Sequence, residues 1–184
     1  GCIIQTRMGS TRLPGKVMLK LDKKNPTLYY VLKQLQSSKL LEKLVVATTI
    51  LDEDDIIEDY SKNLDVDVFR GNVNDVLDRY FNCSKNFSFS TIVRITSDNP
   101  LIDPTIVDDM IKKFASNSYD YLTNSRVRTF PYGTEVEIFS FEALEKAWKN
   151  AKKPSEREHV TPYFYNNPDQ FKIFNVENST NISN

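Results

Sequence analysis

Residues 2–16 read CIIQTRMGSTRLPGK, an apolar run followed by a loop of glycine, hydroxyl and basic residues. The apolar run predicts a β-strand, and LYYVLKQLQSS at 28–38 predicts a helix with one apolar face. The alternation continues with strands predicted at 44–47, 66–69 and 91–95, and helices at 53–63, 74–86 and 104–117. Short β-rich runs between amphipathic helices predict βαβ units, and therefore an α/β fold with a mostly parallel central sheet flanked by helices.

Helix-capping signals mark several of these boundaries. Asp52 is predicted to cap the second helix, and Asp103 followed by Pro104 is predicted to open the fourth. Beyond residue 120 the pattern predicts a strand near 136–139, helices at 140–151 and from Ser155, and a last strand at 171–176. Ser155 and Glu158 form a capping-box pattern, which gives Glu158 a structural role.

Composition limits the classes of function. The 184 residues are 40% hydrophobic and 27% charged, with a formal net charge of −1. This balance excludes a basic nucleic-acid-binding stripe, so an anionic ligand has to be held by a local cluster of cations. The two cysteines are too few for a disulfide framework, and no apolar run approaches a membrane span. We expect a cytoplasmic protein with one domain at 1–177 and a polar tail or linker at 178–184.

The internal glycines, Gly9, Gly15, Gly71 and Gly133, all fall in predicted loops next to strands. Glycine permits positive φ and a close approach of the backbone to a ligand. In open α/β sheets such ligands lie at the carboxyl ends of the strands. Four loop glycines are also ordinary in a globular domain, so the neighbouring residues have to decide between the two interpretations.

The first loop presents Arg7, Arg12 and Lys16 among glycines and hydroxyls, an assortment that suits a polyphosphate. It is not a Walker A motif, because five residues separate its two glycines and Val17 follows Lys16. The pattern GxGxxG is not matched either. A solvated basic loop is the alternative interpretation.

The stretch IIQTRMGSTRLPGKVM at 3–18 resembles the opening of cytidylyltransferases of the spore coat polysaccharide biosynthesis type, relatives of CMP-sialic acid and CMP-KDO synthetases. The resemblance continues, in the family's order, through VVATT, FRGNVNDVLDRY, VRITSDNPLIDP, YGTEVEIFSFEALEKAW and SEREHVTPYFY. It implies a Rossmann-like, GT-A-like nucleotidyltransferase fold. It also implies CTP as donor, a small anionic acceptor, Mg²⁺ as cofactor and a homodimer.

The resemblance also implies roles for individual residues. Arg7, Arg12 and Lys16 would be the catalytic cations that grip the triphosphate, with Lys16 and Arg12 nearest the developing charge. The nucleotide would be bound by the residues of the first loop and of three later blocks, namely Gly9, Ser10, Thr11, Gly15, Ala47, Thr48, Gly71, Asp75 and Val76. Asp75 is equally well explained as a carboxylate at a helix start, where the helix dipole favours it.

Asp98, just past a predicted strand, is the leading candidate for a metal ligand, because Mg²⁺ prefers carboxylate and phosphate oxygens. An Asx-turn before Asn99 is the alternative. Relatives have G-x-D-V-E where this chain has GTEVE at 133–137, which puts the ligand role of Glu135 in doubt. Strand alternation places Glu135 and Glu137 on one face, as a shared cation would require, but two solvated strand residues would show the same pattern.

The single histidine, His159, is expected to be acceptor-side or structural, because an anionic acceptor needs no general base. The acceptor could be a sugar acid, a phosphorylated sugar, or a phosphorylated amino acid or polyol. Two other functions stay open: a nucleotidyltransferase with a different NTP donor, and a non-catalytic nucleotide-binding module on the same fold.

Overall fold

The structure is a computed structural model that describes residues 1–10 and 12–183, so the predicted nucleotide-binding residue Thr11 lies outside the described residues. Its seven strands are β1 Cys2–Gln5, β2 Leu44–Thr49, β3 Asp67–Gly71, β4 Thr91–Thr96, β5 Tyr121–Thr123, β6 Glu137–Ser140 and β7 Ile173–Asn175. Its seven α-helices are α1 Thr27–Gln36, α2 Asp55–Lys62, α3 Val76–Asn86, α4 Pro104–Ala115, α5 Phe141–Asn150, α6 Pro154–His159 and α7 Pro162–Asn166.

The strands form one sheet in the order β3-β2-β1-β4-β6-β5-β7. Strand β6 is antiparallel to both of its neighbours, and the other pairings are parallel. The predicted α/β fold with a mostly parallel central sheet is confirmed. From β1 the chain adds β2 and then β3 on one side of β1, and it later adds β4 on the opposite side of β1, so the strand order reverses between β1 and β4. A crevice therefore opens at the carboxyl ends of β1 and β4, the place where ligands bind in open α/β sheets.

Two apolar cores cover the two faces of this sheet, as strand alternation requires. Ile4 points to the core that contains Leu32 of α1 and Met110 of α4. Ile3, its neighbour, points to the core that contains Leu77 of α3 and Phe164 of α7. Burying a leucine, isoleucine or phenylalanine side chain contributes about 1.5–3 kcal/mol. The two helical layers thus hold the crevice between them.

Two capping predictions are wrong. Asp52 begins a short 3₁₀ turn, and α2 starts at Asp55. Helix α6 starts at Pro154, so Ser155 lies inside the first turn and caps nothing. The fixed φ of proline suits the first helical position, and it sets the N-cap at Lys153, two residues before the Ser155 of the capping-box pattern. The Asp103 cap is confirmed, because its side chain accepts a hydrogen bond from Thr105 N at 2.7 Å.

The sequence did not predict β5, whose three residues pair with β6 and β7. The polar segment that follows β7 is held to Thr129: Asn178 N donates to Thr129 Oγ1 at 2.6 Å, and Ile182 N donates to Thr129 O at 2.9 Å. No helix in the described part of the chain is both long and apolar enough to cross a membrane.

Candidate nucleotide-binding site

A cavity of about 370 Å³ lies at the carboxyl ends of β1 and β4. Four groups of residues form its wall: the end of β1 and its loop, the end of β4, the start of α3 and the end of α6. Its lining comprises Gln5, Thr6, Arg7, Ser10, Arg12, Lys16, Val17, Val76, Thr96, Ser97, Asp98, Glu158 and His159. The structure therefore brings the predicted cations, Ser10, Val76 and Asp98 together in one concave site.

The loop after β1 is folded back on itself by backbone hydrogen bonds. The carbonyl of Met8 accepts from the N–H groups of both Ser10 and Gly15, each at 2.8 Å. Gly15 has φ 70°, a left-handed conformation that glycine adopts without strain. The buried carboxylate of Asp54 accepts from Met8 N at 2.7 Å and so ties the loop to the end of β2. This scaffold aims the basic side chains of the loop at the cavity.

Lys16 and Asp98 form an ion pair inside the cavity, between the β1 loop and the end of β4. Partial burial raises the pKa of the Asp98 carboxyl, but hydrogen bonds from Lys16 and Thr96 outweigh it and leave the pKa below its ordinary value. Asp98 is therefore held as a carboxylate, as a metal ligand has to be. Its side chain is 40% exposed and stays reachable from the cavity.

Helix α6 supplies the wall that faces the basic loop. Arg157 anchors it, donating from Nε to Asp75 Oδ2 at 2.8 Å and from Nη1 to the Trp148 carbonyl at 2.7 Å. The guanidinium of Arg157 is thus engaged within the protein. Glu158 and His159 instead line the cavity with exposed side chains.

The remaining predicted nucleotide-binding residues do not line the cavity. Ala47 and Thr48 are fully buried in β2. A Cβ on Gly71 would come within 3.1 Å of Arg79 Cγ, so this glycine makes room for packing inside the protein. Asp75 caps α3 by accepting from Asp78 N at 2.9 Å and also pairs with Arg157. Gly9 and Gly15 border a second depression beside the loop.

Glu135 and Glu137, the other predicted metal ligands, each have an arginine partner. Glu135 pairs with Arg128 and accepts from Asn99 Nδ2 and Gly133 N, both at 3.0 Å. Glu137 pairs with Arg94 and accepts from the Tyr121 hydroxyl. Among residues 1–10 and 12–183, no group of three or more His, Cys, Asp or Glu side chains is arranged to hold a metal ion.

Sequence reasoning missed five polar residues of the cavity wall. Gln5, Thr96 and Ser97 lie at strand ends, and the rule that ligands bind where the strand order reverses would have found them once β1 and β4 were known to be neighbours. Glu158 had been assigned to a helix cap. Thr6, the residue after β1, carries a buried hydroxyl without a hydrogen-bond partner in the described part of the chain.

Comparison with known proteins gives consistent results. The family model described as cytidylyltransferase matches residues 1–181. An uncharacterized protein of Methanocaldococcus jannaschii is 47% identical over 95% of this chain and 70% of its own length. The spore coat polysaccharide biosynthesis protein SpsF of Bacillus subtilis is 35% identical over 93% of this chain and 72% of its own length.

A solved structure described as a cytidylyltransferase from Leptospira borgpetersenii superposes with a TM-score of 0.95 at 42% identity, covering 100% of this chain and 77% of the other. The family match over nearly the whole chain, together with the cavity at the β1–β4 crevice, confirms the resemblance seen in the sequence. The chain belongs to the cytidylyltransferase family.

Proposed function

We propose that the protein transfers CMP from CTP to a small anionic acceptor, a sugar acid or a phosphorylated metabolite, and releases pyrophosphate. The observation that carries the proposal is the cavity in which Arg7, Arg12 and Lys16 meet Asp98 at the carboxyl ends of β1 and β4. Three cations and a carboxylate suit a triphosphate and its counterion. The family supports the donor, and the similarity to a spore coat polysaccharide protein supports a role in surface polysaccharide synthesis.

In this reaction an acceptor oxygen forms a bond to the α-phosphorus of CTP, and the bond from that phosphorus to the oxygen that bridges it to the β-phosphorus breaks, so that this oxygen leaves with pyrophosphate. In such a transfer the main contributions of the protein are to position CTP and the acceptor and to balance the negative charge on the phosphate oxygens. Arg7, Arg12 and Lys16 would bind the triphosphate, and the hydroxyl of Ser10 would donate to it. Lys16 would exchange its contact with Asp98 for a phosphate oxygen.

Asp98 fits a Mg²⁺ ion held by one carboxylate together with phosphate oxygens and water. When bound, the ion would supply positive charge to the phosphate oxygens. Glu135 and Glu137 fit this role less well, because each is neutralised by its own arginine. We propose Asp98 as the main protein ligand, with a cytoplasmic location and a homodimeric assembly as further parts of this proposal.

Thermal unfolding with CTP, UTP, ATP, GTP and dTTP, each with and without Mg²⁺, tests the donor. At about one hundred times the dissociation constant, a ligand adds roughly 2.7 kcal/mol to stability. We expect a Mg²⁺-dependent shift with CTP that is lost in Lys16→Ala and kept in Lys23→Ala, an exposed lysine outside the cavity. A larger shift with another nucleotide would establish a different donor.

Pyrophosphate release in the presence of CTP and a panel of acceptors then tests the chemistry. Release with a sugar acid or sugar phosphate, absent in Lys16→Ala, would support the transferase. Tight CTP binding with no release for any acceptor of the panel would favour a non-catalytic nucleotide-binding module. Absence of a shift with every nucleotide would contradict the proposed function itself.

A further inference from the structure

The side chain of Gln5, the last residue of β1, lines the cavity. Its carbonyl oxygen Oε1 accepts a hydrogen bond from Nη2 of Arg94 at 3.2 Å. A guanidinium has donors only, so the amide atom that faces it has to be the oxygen. The amide nitrogen of Gln5 therefore faces away from Arg94, and in the described part of the chain this nitrogen makes no hydrogen bond.

The position of Arg94 determines where that amide nitrogen points. Gln5 pairs with Thr96 of the neighbouring β4, and Arg94 lies two residues earlier on the same strand. Arg94 thus reaches Gln5 from the amino-terminal side of the sheet, whereas the cavity lies at the carboxyl ends of the strands. The free N–H groups of the Gln5 amide are consequently directed at the cavity.

Arg94 is itself held by its neighbours. Its guanidinium forms an ion pair with Glu137 of β6, and its Cζ atom lies 5.8 Å from the centre of the Tyr80 ring. Glu137 also accepts a hydrogen bond from the hydroxyl of Tyr121 on β5. Burial lowers the pKa of the Arg94 guanidinium, but Glu137 outweighs it and leaves this pKa above its ordinary value. Arg94 therefore stays a charged donor that fixes the orientation of Gln5.

The backbone of Gln5 is fixed as well. Its carbonyl accepts from Ser97 N at 3.1 Å, and the residue belongs to the parallel ladders with both β2 and β4. A side chain held at its backbone and at its carbonyl oxygen loses little further freedom when it binds a ligand. Gln5 is thus a preorganised hydrogen-bond donor, and it requires an acceptor oxygen in the cavity.

The neighbours of Gln5 indicate which ligand oxygen it meets. The cations of the β1 loop begin at Arg7, two residues after Gln5, and Asp98 lies two residues after Thr96, the β4 partner of Gln5. Gln5 therefore lies between the loop that would bind the triphosphate and the carboxylate that would hold Mg²⁺. Because the acceptor attacks opposite the leaving pyrophosphate, the α-phosphate lies at the end of the triphosphate that faces away from the loop cations, over Gln5.

We propose that Gln5 donates an amide hydrogen bond to a non-bridging oxygen of the α-phosphate of CTP, and that Arg94 and Glu137 are positioning residues that direct this donor into the cavity. The inference rests on the proposed function, because the oxygen belongs to the nucleotide of that proposal. It gives Glu137 a task other than the metal binding expected from the sequence.

The test compares CTP with the two diastereomers of α-thio-CTP, in which sulfur replaces one or the other non-bridging oxygen of the α-phosphate. Sulfur accepts hydrogen bonds only weakly. Dissociation constants are measured in the presence of Mg²⁺ for the full chain and for Gln5→Met, a variant of similar length without the amide. In the wild-type protein one diastereomer should bind about tenfold or more weakly than CTP, and in Gln5→Met this ratio should fall to within about twofold.

The affinity for CTP itself gives a second readout. Gln5→Met should raise the dissociation constant of CTP about tenfold, which corresponds to about 1.4 kcal/mol and is typical of a hydrogen bond to a charged group. Gln34→Met is the matched control, since it removes an exposed amide from α1, outside the cavity, and should change neither the affinity nor the thio ratio.

The positioning role is tested with Glu137→Gln, which keeps the shape of the side chain and removes the charge that holds Arg94. This variant should weaken CTP binding by a smaller factor than Gln5→Met and should also lower the thio ratio. Combined with Gln5→Met it should add little, because both changes act through one hydrogen bond. A purely structural role of Glu137 would lower stability and leave the thio ratio of the folded protein unchanged. The Gln5→Met comparison stands by itself if Glu137→Gln does not fold.

Three results would overturn the assignment of Gln5. These are diastereomers that both bind the wild-type protein like CTP, a Gln5→Met variant that binds CTP like wild type, or a thio ratio that is the same in Gln5→Met as in wild type. Additive losses in the double variant would contradict the positioning role of Glu137. Failure of the wild-type protein to bind CTP at all would contradict the proposed function, and that binding is measured first and separately.

Discussion

The contact between Lys16 and Asp98 shows how one residue pair links stability to the proposed chemistry. In the structure each neutralises the other across the crevice. In the proposed reaction Lys16 turns to phosphate and Asp98 to a cation, so each group exchanges one partner of opposite charge for another. Both side chains are partly exposed, and the energetic value of such a pair is therefore small.

We predict that Asp98→Asn lowers the stability of the ligand-free protein by about 0.2–1 kcal/mol at pH 7. The pKa of Asp98 is lowered in the folded state from its ordinary value of 3.8. The stabilisation is thus fully present above that value and is lost as the pH falls through the folded-state pKa. Urea unfolding of the wild-type protein and of Asp98→Asn is measured between pH 7 and pH 3. The difference between their free energies of unfolding should shrink below about pH 4. A gap that widens on acidification would contradict this assignment.

Arg79 presents the opposite situation, because this cation has no anionic partner among the residues that the structure describes. Its side chain is fully buried, and in the described part of the chain only Nη1 finds an acceptor, the Asn72 carbonyl at 2.9 Å, while Nε and Nη2 have none. Burial lowers the pKa of the guanidinium, because it disfavours the charged form. Arg79 is therefore a cost to the folded state that the sequence pattern, which placed it on a helix, could not reveal.

We predict that Arg79→Met stabilises the protein by about 1–3 kcal/mol, because an apolar side chain of similar length removes a buried charge and its two unsatisfied donors. Equilibrium urea unfolding measures the change. Arg94→Met is the contrasting variant. Arg94 is also buried but paired with Glu137, so this change would strand a carboxylate and should destabilise. A loss of stability in Arg79→Met would show that its bond to Asn72 outweighs the cost.

At the scale of elements, the end of α6 concentrates strain beside the cavity, because the β-branched Val160 has φ 70° in the turn that ends the helix. We predict that Val160→Ala destabilises by about 1–3 kcal/mol through lost burial. Val160→Gly should be at least as stable as Val160→Ala, since glycine adopts the positive φ of the turn freely. At an unstrained position glycine is less stable than alanine by about 0.5–1 kcal/mol. The urea midpoints of unfolding show which of the two variants is more stable. A glycine variant clearly less stable than the alanine variant would contradict backbone strain at Val160.

Sequence pattern predicted elements well where the pattern is local. The apolar runs before residue 100 became β1 to β4, and the amphipathic stretches between them became α1 to α3. The sequence pattern did not predict strand β5, because its three residues, Tyr121–Thr123, are too few to show an alternating pattern. Only the pairing with β6 and β7 makes this segment a strand. Helix α6 was placed one residue late because Pro154 outweighed the capping-box pattern of Ser155 and Glu158.

The residues of the candidate site likewise fall into those that a local sequence pattern predicts and those that only the fold brings together. The β1 loop is contiguous in sequence, so its cations could be grouped before the fold was known, and resemblance added Asp98. The ion-pair partner of Glu137 could not be anticipated, because Arg94 lies 43 residues from Glu137 and meets it only through the antiparallel pairing of β4 with β6. The cavity-facing position of Glu158 likewise depends on the turn at Val160.

At the scale of the whole molecule, one sheet carries both apolar cores, and each core holds one of the two cysteines. Cys2 lies in the core with α1 and α4, and Cys83 lies in the core with α3 and α5. Both thiols are free and buried, and burial raises the pKa of each to about 12. Native thiols should therefore resist labelling at neutral pH, because only the thiolate is reactive.

These thiols report whether the two cores open together. Every strand of the sheet contributes to the common backbone ladder, so neither helical layer can detach without exposing the sheet face beneath it. We predict that pulse labelling of the single-cysteine variants Cys2→Ala and Cys83→Ala in increasing urea gives the same midpoint, equal to that of the circular dichroism transition. Alanine is tolerated poorly in a packed core, and each midpoint is therefore compared with the circular dichroism midpoint of the same variant. A contradicting result would be a labelling midpoint for Cys83 at lower urea than the circular dichroism midpoint of the same variant. It would show that the layer of α3, α5, α6 and α7 opens first. The part of the cavity wall formed by Glu158 and His159 would open with that layer.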